Sequence, residues 1–200
     1  MNKDRKQKMR IGLFGGSFNP IHNGHVALGR KMLSAAALDE VWYMVSPQNP
    51  LKAASSDLAP EDVRLQLVQA ALDGEPGLKA SDYEFHLPRP SYTWSTLQHL
   101  QKDYPDAEFV LIIGGDNWEC FDRWAHYEDI LRNYEVVVYP RQGSEVKKVY
   151  GVGEKVKVLD VPLFPVSSTE IRQMIHKGEN IAGLVPDAVL RRVEKYSLYR

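Results

Sequence analysis

Two histidines three residues apart, His22 and His25, are the side chains whose spacing most directly suggests chemistry. They lie in the stretch GGSFNPIHNGH (15–25), which follows the apolar run IGLF. Gly15 and Gly16 would let the backbone turn sharply after a strand and approach a ligand closely. Residues three apart share one face of a helical turn, and the N–H groups at a helix N-terminus attract anions. Because imidazoles also donate hydrogen bonds to phosphate oxygens, the stretch predicts a phosphate-binding site.

Two other interpretations of the histidine pair are an ordinary surface helix after a tight turn, and a metal site. A zinc site is disfavoured because the sequence has no HExxH frame and no third ligand nearby. The stretch is also neither a Walker A loop nor a GxGxxG dinucleotide motif. The order of strand, glycines, Pro20 and both histidines favours phosphate chemistry, and we predict no protein-held metal site.

The composition is that of an ordinary globular chain, with 44% hydrophobic residues, 26% charged residues and a formal net charge of −1. A protein that binds duplex nucleic acid needs a concentrated basic surface, so we expect no nucleic-acid partner. The single Cys120 excludes an internal disulfide framework and a thiolate zinc cluster, and it fits a reducing cytosol. No stretch approaches the ~18 apolar residues of a membrane span, so we expect a cytoplasmic protein without a membrane partner.

Short apolar runs alternate with helical patterns, which predicts a doubly wound, Rossmann-like α/β fold with a parallel sheet. The strongest strand, EFVLIIG (108–114), is an unbroken apolar run of the kind buried on both faces. The other predicted strands cover 10–14, 41–45, 78–85, 133–140 and 156–162, and the predicted helices cover 25–38, 60–72, 93–104, 168–178 and 186–196. We expect 1–8 to be a flexible segment, and 9–200 to be a single domain that ends in short helices.

Four segments with candidate functional residues each follow a predicted strand. In a doubly wound sheet, ligands bind beyond the carboxyl ends of the strands, at the point where the strand order reverses. We therefore expect these segments to gather at one edge of the sheet; they are 15–25, 46–56, 114–124 and 167–172.

The histidine stretch resembles the signature of the nucleotidyltransferase superfamily that carries an HxGH element. The resemblance is closer to the nicotinate-nucleotide adenylyltransferase family and extends from Met9 to Arg200. Further segments similar to that family follow in the same order: PSYTWSTL, LIIGGDNWECFDRW, VSSTEIR and LVPDAVLRRVEKYSLYR. The resemblance implies transfer of the AMP moiety of ATP to nicotinate mononucleotide, which yields nicotinate adenine dinucleotide and pyrophosphate. It also implies that Mg²⁺ is bound mainly through the ATP phosphates.

The resemblance assigns roles to individual residues. His22, His25 and Arg172 would be catalytic. Residues that would bind ATP are Gly15, Gly16, Ser17, His22, His25, Asp116, Ser167, Ser168, Thr169 and Arg172. Residues that would bind nicotinate mononucleotide are Asn49, Lys52, Tyr92, Thr93 and Trp124. The chain departs from the family pattern at Asn19, where aspartate is commoner, and the sequence alone does not explain that residue. It also departs in SPQNPLK (46–52), which lacks the family's usual histidine.

Three alternative functions stay open at this point. The acceptor could be nicotinamide mononucleotide or phosphopantetheine, although the family that adenylates phosphopantetheine usually has threonine at the position of His22. A non-catalytic nucleotide sensor on the same scaffold is the third alternative. The sequence is also compatible with a homo-oligomer, without specifying one.

Overall fold

The computed structural model describes residues 8–47, 57–141, 155–162 and 165–200. Six parallel strands form one sheet in the order β3-β2-β1-β4-β5-β6. The strands are β1 Met9–Gly16, β2 Glu40–Val45, β3 Leu78–Ser81, β4 Ala107–Gly114, β5 Glu135–Tyr139 and β6 Val156–Val158. Because the strand order reverses between β1 and β4, the predicted doubly wound α/β fold is confirmed, with its switch point at those two strands.

Seven helices occur in the described part of the chain. They are α1 Asn23–Ala35, α2 Glu61–Leu72, α3 Thr93–Asp103, α4 Gly115–Glu119, α5 Tyr127–Asn133, α6 Ser168–His176 and α7 Asp187–Lys195. In these ranges no helix has the length and apolarity needed to cross a membrane. The predicted flexible segment 1–8 falls almost entirely outside the described residues.

Strand β4 is buried on both faces, as its apolar run predicted. Side chains alternate across a strand, so Phe109 and Leu111 pack into one hydrophobic cluster and Val110 and Ile112 into the other. The first cluster also contains apolar residues of α3 and α5, and the second those of α1, α2, α6 and α7. The sheet is therefore covered by helices on both sides.

The interpretation of Gly15 and Gly16 as a turn was wrong. Both residues extend β1 and pair in register with Met44 and Val45 of β2. The chain leaves the strand two residues later, at Phe18, whose φ of 47° lies in the left-handed region. Gly15 still leaves room for a ligand beside the strand. A Cβ atom at this position would meet no atom within 4 Å and would project into open space.

The predicted strand at 78–85 is shorter in the structure. The strand ends at Ser81, and the chain then forms a 3₁₀ turn, Tyr83–His86. In this turn the buried Glu84 carboxylate accepts a hydrogen bond from the Thr96 hydroxyl at 3.0 Å. A partner so far along the chain is invisible to a local pattern, so the sequence could not show where the strand ends.

The close packing between α1 and β2 leads to a prediction about stability. A Cβ atom on Gly29 would lie only 2.0 Å from Tyr43 Oη, and that hydroxyl donates a hydrogen bond to the His25 carbonyl at 2.8 Å. We expect Gly29→Ala to lower the free energy of unfolding by about 1–3 kcal/mol because Tyr43 must move. The loss should occur although alanine has the better helix propensity, by about 1 kcal/mol. Urea unfolding measures the difference.

The control places the same substitution in a Tyr43→Phe background. Removing the hydroxyl removes the closest clash, so Gly29→Ala should cost less there than in the wild type. Equal costs in the two backgrounds would show that contact with Tyr43 is not the cause.

Candidate active site

The two histidines form a reciprocal cap at the start of α1. His22 is the N-cap residue, and its Nδ1 accepts a hydrogen bond from the His25 backbone N–H at 3.3 Å. In return, the His22 backbone N–H donates to His25 Nδ1, also at 3.3 Å. The rings stack with centroids 3.6 Å apart. The helix start therefore fixes the position of both imidazoles, in the way that a capping box fixes its two side chains.

This cap determines which ring nitrogen carries the proton. Each Nδ1 accepts a hydrogen bond, so in the neutral imidazole the proton lies on Nε2. Burial lowers the pKa of His22 to about 4, and the positive charge of Arg141 adds to the effect. Burial likewise holds the pKa of His25 well below its usual value, with further contributions from His22 and Arg141. The pair thus presents two neutral N–H donors at neutral pH.

His22 Nε2 is buried and has no hydrogen-bond partner among the described residues. A buried donor without an acceptor is costly, and in native proteins such a group points to a function. The rings of Phe14 and Phe18 lie near His25, with centroids 6.1 Å and 5.2 Å from its own, so the pair sits in an apolar surrounding. A hydrogen bond to an anion is stronger in such a surrounding than in water.

The histidines line a cavity that we call the histidine cavity. Its other lining residues include Asp116, Arg141, Ser167 and Glu170, together with Tyr139. Arg141 and Asp116 form an ion pair at 3.0 Å. Tyr139 at the end of β5 also lines the neighbouring cavity, so the two cavities adjoin. The structure therefore brings His22, His25, Asp116 and Ser167 together, as the convergence of strand ends predicted.

Two of the remaining candidate residues of α6, Ser168 and Arg172, bind the backbone of the histidine stretch. Ser168 Oγ donates to the Pro20 carbonyl at 2.9 Å, and Arg172 Nη1 donates to the Asn19 carbonyl at 2.9 Å. Neither Thr169, which is exposed, nor Arg172 lines the histidine cavity. Arg172 Nε is buried without a partner in the described part of the chain. In this structure Arg172 thus holds the loop that precedes the histidines.

Asn19, which the sequence did not explain, links three segments. Its side-chain amide donates to the Asp57 carbonyl at 2.8 Å and accepts from the Ala59 N–H at 3.1 Å. Its own carbonyl oxygen accepts the hydrogen bond from Arg172. The residue is 6% exposed, so these bonds replace contacts with water. Asn19 therefore joins the end of β1 to the segment before α2 and to α6.

A second cavity, which we call the glycine cavity, extends from Gly15, Gly16 and Ser17 to the start of α3. Tyr92, Thr93 and Trp124 also line it. Its wall includes the apolar strand residues Leu13, Leu111 and Ile113, together with Glu84 and Ser46. An apolar cavity with a few polar groups at fixed positions is the usual form of a small-molecule site.

The polar groups of the glycine cavity suit a ligand that is partly aromatic. Trp124 packs at a tilt against Phe121, and its Nε1–H is buried without a partner in the described residues. Tyr92 is the N-cap residue of α3 and makes no side-chain cap bond. The first N–H groups of this helix can therefore receive an acceptor from a ligand.

Sequence reasoning missed three residues of this region. Arg141 lines the histidine cavity, while Arg64 and Glu84 are buried near the glycine cavity. Arg141 lies two residues after the end of β5 and directly follows the predicted strand 133–140, so its place after a predicted strand was a usable signal. Arg64 lies within an amphipathic helix, where nothing local distinguishes it from a surface residue. The predicted binding residues Asn49 and Lys52 lie outside the described residues.

The lowered pKa of His22 predicts how stability depends on pH. Between pH 6.5 and about 4 the unfolded chain protonates this histidine, whereas the folded protein keeps it neutral. The unfolded state then binds more protons, so the free energy of unfolding should fall as the pH falls through this range. From the pKa difference, His22 accounts for at most about 3 kcal/mol of that loss.

The substitution His22→Asn tests this expectation by urea unfolding at both ends of the range. Asparagine is a good N-cap residue, so the cap is retained while the titrating ring is removed. The loss of stability on acidification should be smaller than in the wild type, while His176→Asn, at an exposed position, should leave it unchanged. An undiminished loss in His22→Asn would contradict the assignment.

Comparison with known proteins places the chain in a family. The family model described as cytidylyltransferase-like matches residues 13–174. A Bacteroides fragilis protein named as a probable nicotinate-nucleotide adenylyltransferase is 49% identical over 186 residues, which cover 93% of this chain and 92% of that protein. A Bacteroides thetaiotaomicron protein of the same name is 44% identical over 196 residues, covering 98% and 96% of the two chains.

A solved structure shows the same fold at low sequence identity. The Plasmodium falciparum nicotinic acid mononucleotide adenylyltransferase complexed with NaAD has a TM-score of 0.80 to this chain at 19% identity. The similarity covers 95% of this chain and 97% of that one. Since the family model spans most of the sequence and the bacterial relatives are similar over nearly their full length, this chain belongs to the cytidylyltransferase-like family.

Proposed function

We propose that this protein is a nicotinate-nucleotide adenylyltransferase, which transfers the AMP moiety of ATP to nicotinate mononucleotide in NAD biosynthesis. The observation that carries the proposal is the neutral histidine pair, which lines one of two adjoining cavities at the strand ends of the sheet. The names of the bacterial relatives support the same activity. The histidine cavity would take ATP, and the glycine cavity would take the pyridine nucleotide. Gly15, Gly16 and Ser17, which the resemblance assigns to ATP, line the glycine cavity, so their role in binding ATP stays a prediction.

In the proposed reaction a phosphate oxygen of nicotinate mononucleotide attacks the α-phosphorus of ATP. A new P–O bond forms, the bond to the β-phosphate oxygen breaks, and pyrophosphate leaves with that electron pair. No protein nucleophile is required; Cys120, which donates towards the Asn117 carbonyl, lines neither cavity. Catalysis would consist of aligning the two substrates and stabilising the charge that develops on the phosphates.

The two Nε2–H groups would donate to oxygens of the α-phosphate. They are held by the helix start before the substrate arrives, so little reorganisation is needed. Arg141 is the cation that lines the histidine cavity, and it would meet the triphosphate there. Arg172, bonded to the Asn19 carbonyl, would act mainly by holding the loop before His22. Asp116 would contact the ribose, and Ser167 would lie near the leaving phosphates.

A divalent metal ion is expected to accompany the nucleotide. In the described ranges, no group of three metal-ligating side chains converges on one point. Of the carboxylates in the histidine cavity, Asp116 pairs with Arg141 and Glu170 bonds to Ser167. These residues fit an Mg²⁺ ion carried by the ATP phosphates and water, which would neutralise part of the phosphate charge.

The glycine cavity would recognise the nicotinate ring and its carboxylate. The indole face of Trp124 suits a pyridine ring, since flat aromatic groups stack favourably. The exposed N–H groups at the start of α3, beside Thr93, suit a carboxylate. Gly15 leaves that side of the cavity open, so a ring can approach the backbone of β1.

Substitution of His25 tests the catalytic assignment. We expect His25→Ala to lower kcat by at least about 10²-fold, the usual cost of losing one donor to a developing oxyanion. Pyrophosphate release from ATP and nicotinate mononucleotide measures the rate, and circular dichroism checks the fold. His99→Ala, at an exposed position on α3, serves as the control. Near-normal turnover in His25→Ala would rule out the assignment.

Substitution of Trp124 tests the pyridine site. Trp124→Leu should raise the KM for nicotinate mononucleotide about two- to tenfold while the KM for ATP stays nearly constant, because a stacked aromatic pair contributes about 0.5–1.5 kcal/mol beyond its buried area. Trp42→Leu is the matched control, since Trp42 lines neither cavity. An equal rise in both KM values for Trp124→Leu would argue against a separate pyridine site.

The same assay decides between the alternative functions. The wild type is given ATP with nicotinate mononucleotide, nicotinamide mononucleotide or phosphopantetheine in turn. We expect pyrophosphate release to be fastest with nicotinate mononucleotide. ATP binding by calorimetry without pyrophosphate release from any acceptor would identify a nucleotide sensor instead.

A further inference from the structure

Arg64, on the first turns of α2, is a buried cation held entirely by the main chain. It is 1% exposed, and its guanidinium donates four hydrogen bonds. Their acceptors are the carbonyl oxygens of Ser17 at 2.7 Å, Ser46 at 2.8 Å, Ala59 at 2.8 Å and Pro47 at 2.9 Å. One side chain thus binds the main chain just beyond β1 and β2 and two residues before α2.

All four hydrogen-bond acceptors of Arg64 are neutral carbonyl oxygens. In the described part of the chain no carboxylate lies within ion-pair distance of it; Glu61 attracts the cation without forming an ion pair with it. Ser17 and Ser46 line the glycine cavity, whereas Arg64 does not. Their carbonyl oxygens are therefore bound to a side chain outside the cavity wall and are not left free for a ligand. A site for two anionic substrates benefits, because carbonyl oxygens facing it would repel phosphate and carboxylate groups.

Ser46 extends this arrangement to the other end of the glycine cavity. Its carbonyl is bound by Arg64, and both Ser46 and the buried Glu84 line the glycine cavity. The Ser46 hydroxyl interacts with the Glu84 carboxyl group and opposes the rise in its pKa that burial causes. Glu84 in turn accepts hydrogen bonds from Thr96 Oγ1 at 3.0 Å and from Ser91 Oγ at 3.3 Å. Ser91 and Thr96 flank the Tyr92–Thr93 segment that begins α3.

We propose that Arg64 and Glu84, linked through Ser46, are positioning residues that set the distance between the ATP site and the pyridine-nucleotide site. The linked groups extend from Ser17, within the histidine stretch, to the helix start that would bind the nicotinate carboxylate. In-line attack requires the two substrates to be aligned closely, and a misplacement of about 1 Å can lower the rate about 10²-fold. The inference rests on the proposed adenylyl transfer.

Arg64→Lys tests the first half of the framework. Lysine keeps the charge but lacks the planar fork of donors, so it cannot hold four carbonyl oxygens at once. We expect kcat to fall about 10²-fold while circular dichroism shows a folded protein. Arg191→Lys, at an exposed position on α7, is the matched control and should leave kcat unchanged. A wild-type kcat in Arg64→Lys would overturn the proposal.

Chemical rescue separates positioning from a general loss of stability. The activity of Arg64→Ala should rise when guanidinium is added well below denaturing concentrations, because the free cation can replace the missing fork. Ammonium at the same ionic strength should give no such rise. Equal rescue by guanidinium and ammonium, or no rescue by either cation, would overturn the positioning role.

Ser46→Ala tests the link itself and leaves both charged residues in place. It removes the hydroxyl that binds Glu84 but keeps the carbonyl that binds Arg64. We expect the KM for nicotinate mononucleotide to rise several-fold and the KM for ATP to stay constant, because only the α3 side is released. This test is independent of whether the Arg64 variants fold. An unchanged KM for nicotinate mononucleotide would overturn the link.

A double-mutant cycle with Arg64→Lys and Glu84→Gln completes the experiment. If the two residues act through one framework, the double variant should lose much less activity than the product of the single losses. Losses that multiply in the double variant would show that the two residues act separately. Glu179→Gln, at an exposed position, is the control for Glu84→Gln. A wild type without pyrophosphate release would instead refute the proposed function, so the two failures can be told apart.

Discussion

The parallel direction of all six strands is the constraint on which the rest of this structure depends. Every strand ends at the same edge of the sheet, and β1 ends in the middle of that edge, between β2 and β4. The backbone carbonyl and N–H groups beyond the last residues of these strands have no ladder partner. They must be satisfied by side chains, by helix starts or by a ligand.

Buried polar side chains satisfy most of these groups. Arg64 binds carbonyl oxygens at the ends of β1 and β2, Asn19 bonds to the main chain of the segment before α2, and Arg172 and Ser168 bind the backbone of the histidine stretch. Fully hydrogen-bonded polar groups in a low-dielectric interior hold their positions firmly. The described segments that these side chains bind are thus held by hydrogen bonds within the protein.

The groups left unsatisfied at this edge define the site. His22 Nε2 and Trp124 Nε1 are buried donors without partners in the described residues, and each lines one of the two adjoining cavities. The same burial that makes the donors costly keeps the histidines neutral, with Nε2 protonated. The unpaired donors thus lower the stability of the folded protein at the positions where a phosphate and an aromatic ring would be bound.

The sequence by itself determined the fold class, because an unbroken apolar run such as EFVLIIG can be buried only between two layers of helices. It also predicted which segments meet at the strand ends, since parallel strands bring their carboxyl ends together. It did not determine the conformation of Gly15 and Gly16, which depends on pairing with a strand about 30 residues away. Nor did it show that Arg141 lines the histidine cavity while Arg172 binds the Asn19 carbonyl.

The reason why the sequence determined the fold class but not these contacts is illustrated by Arg64, Glu84 and Asn19. Each is a polar residue in a locally ordinary position, and each is buried because its partners come from distant parts of the chain. Periodicity records which face of an element is apolar, but hydrogen bonds between segments far apart in sequence leave no local pattern. The sequence therefore determined the layers and the histidine motif, and only the tertiary structure decided which polar side chains hold the site and which face the ligand.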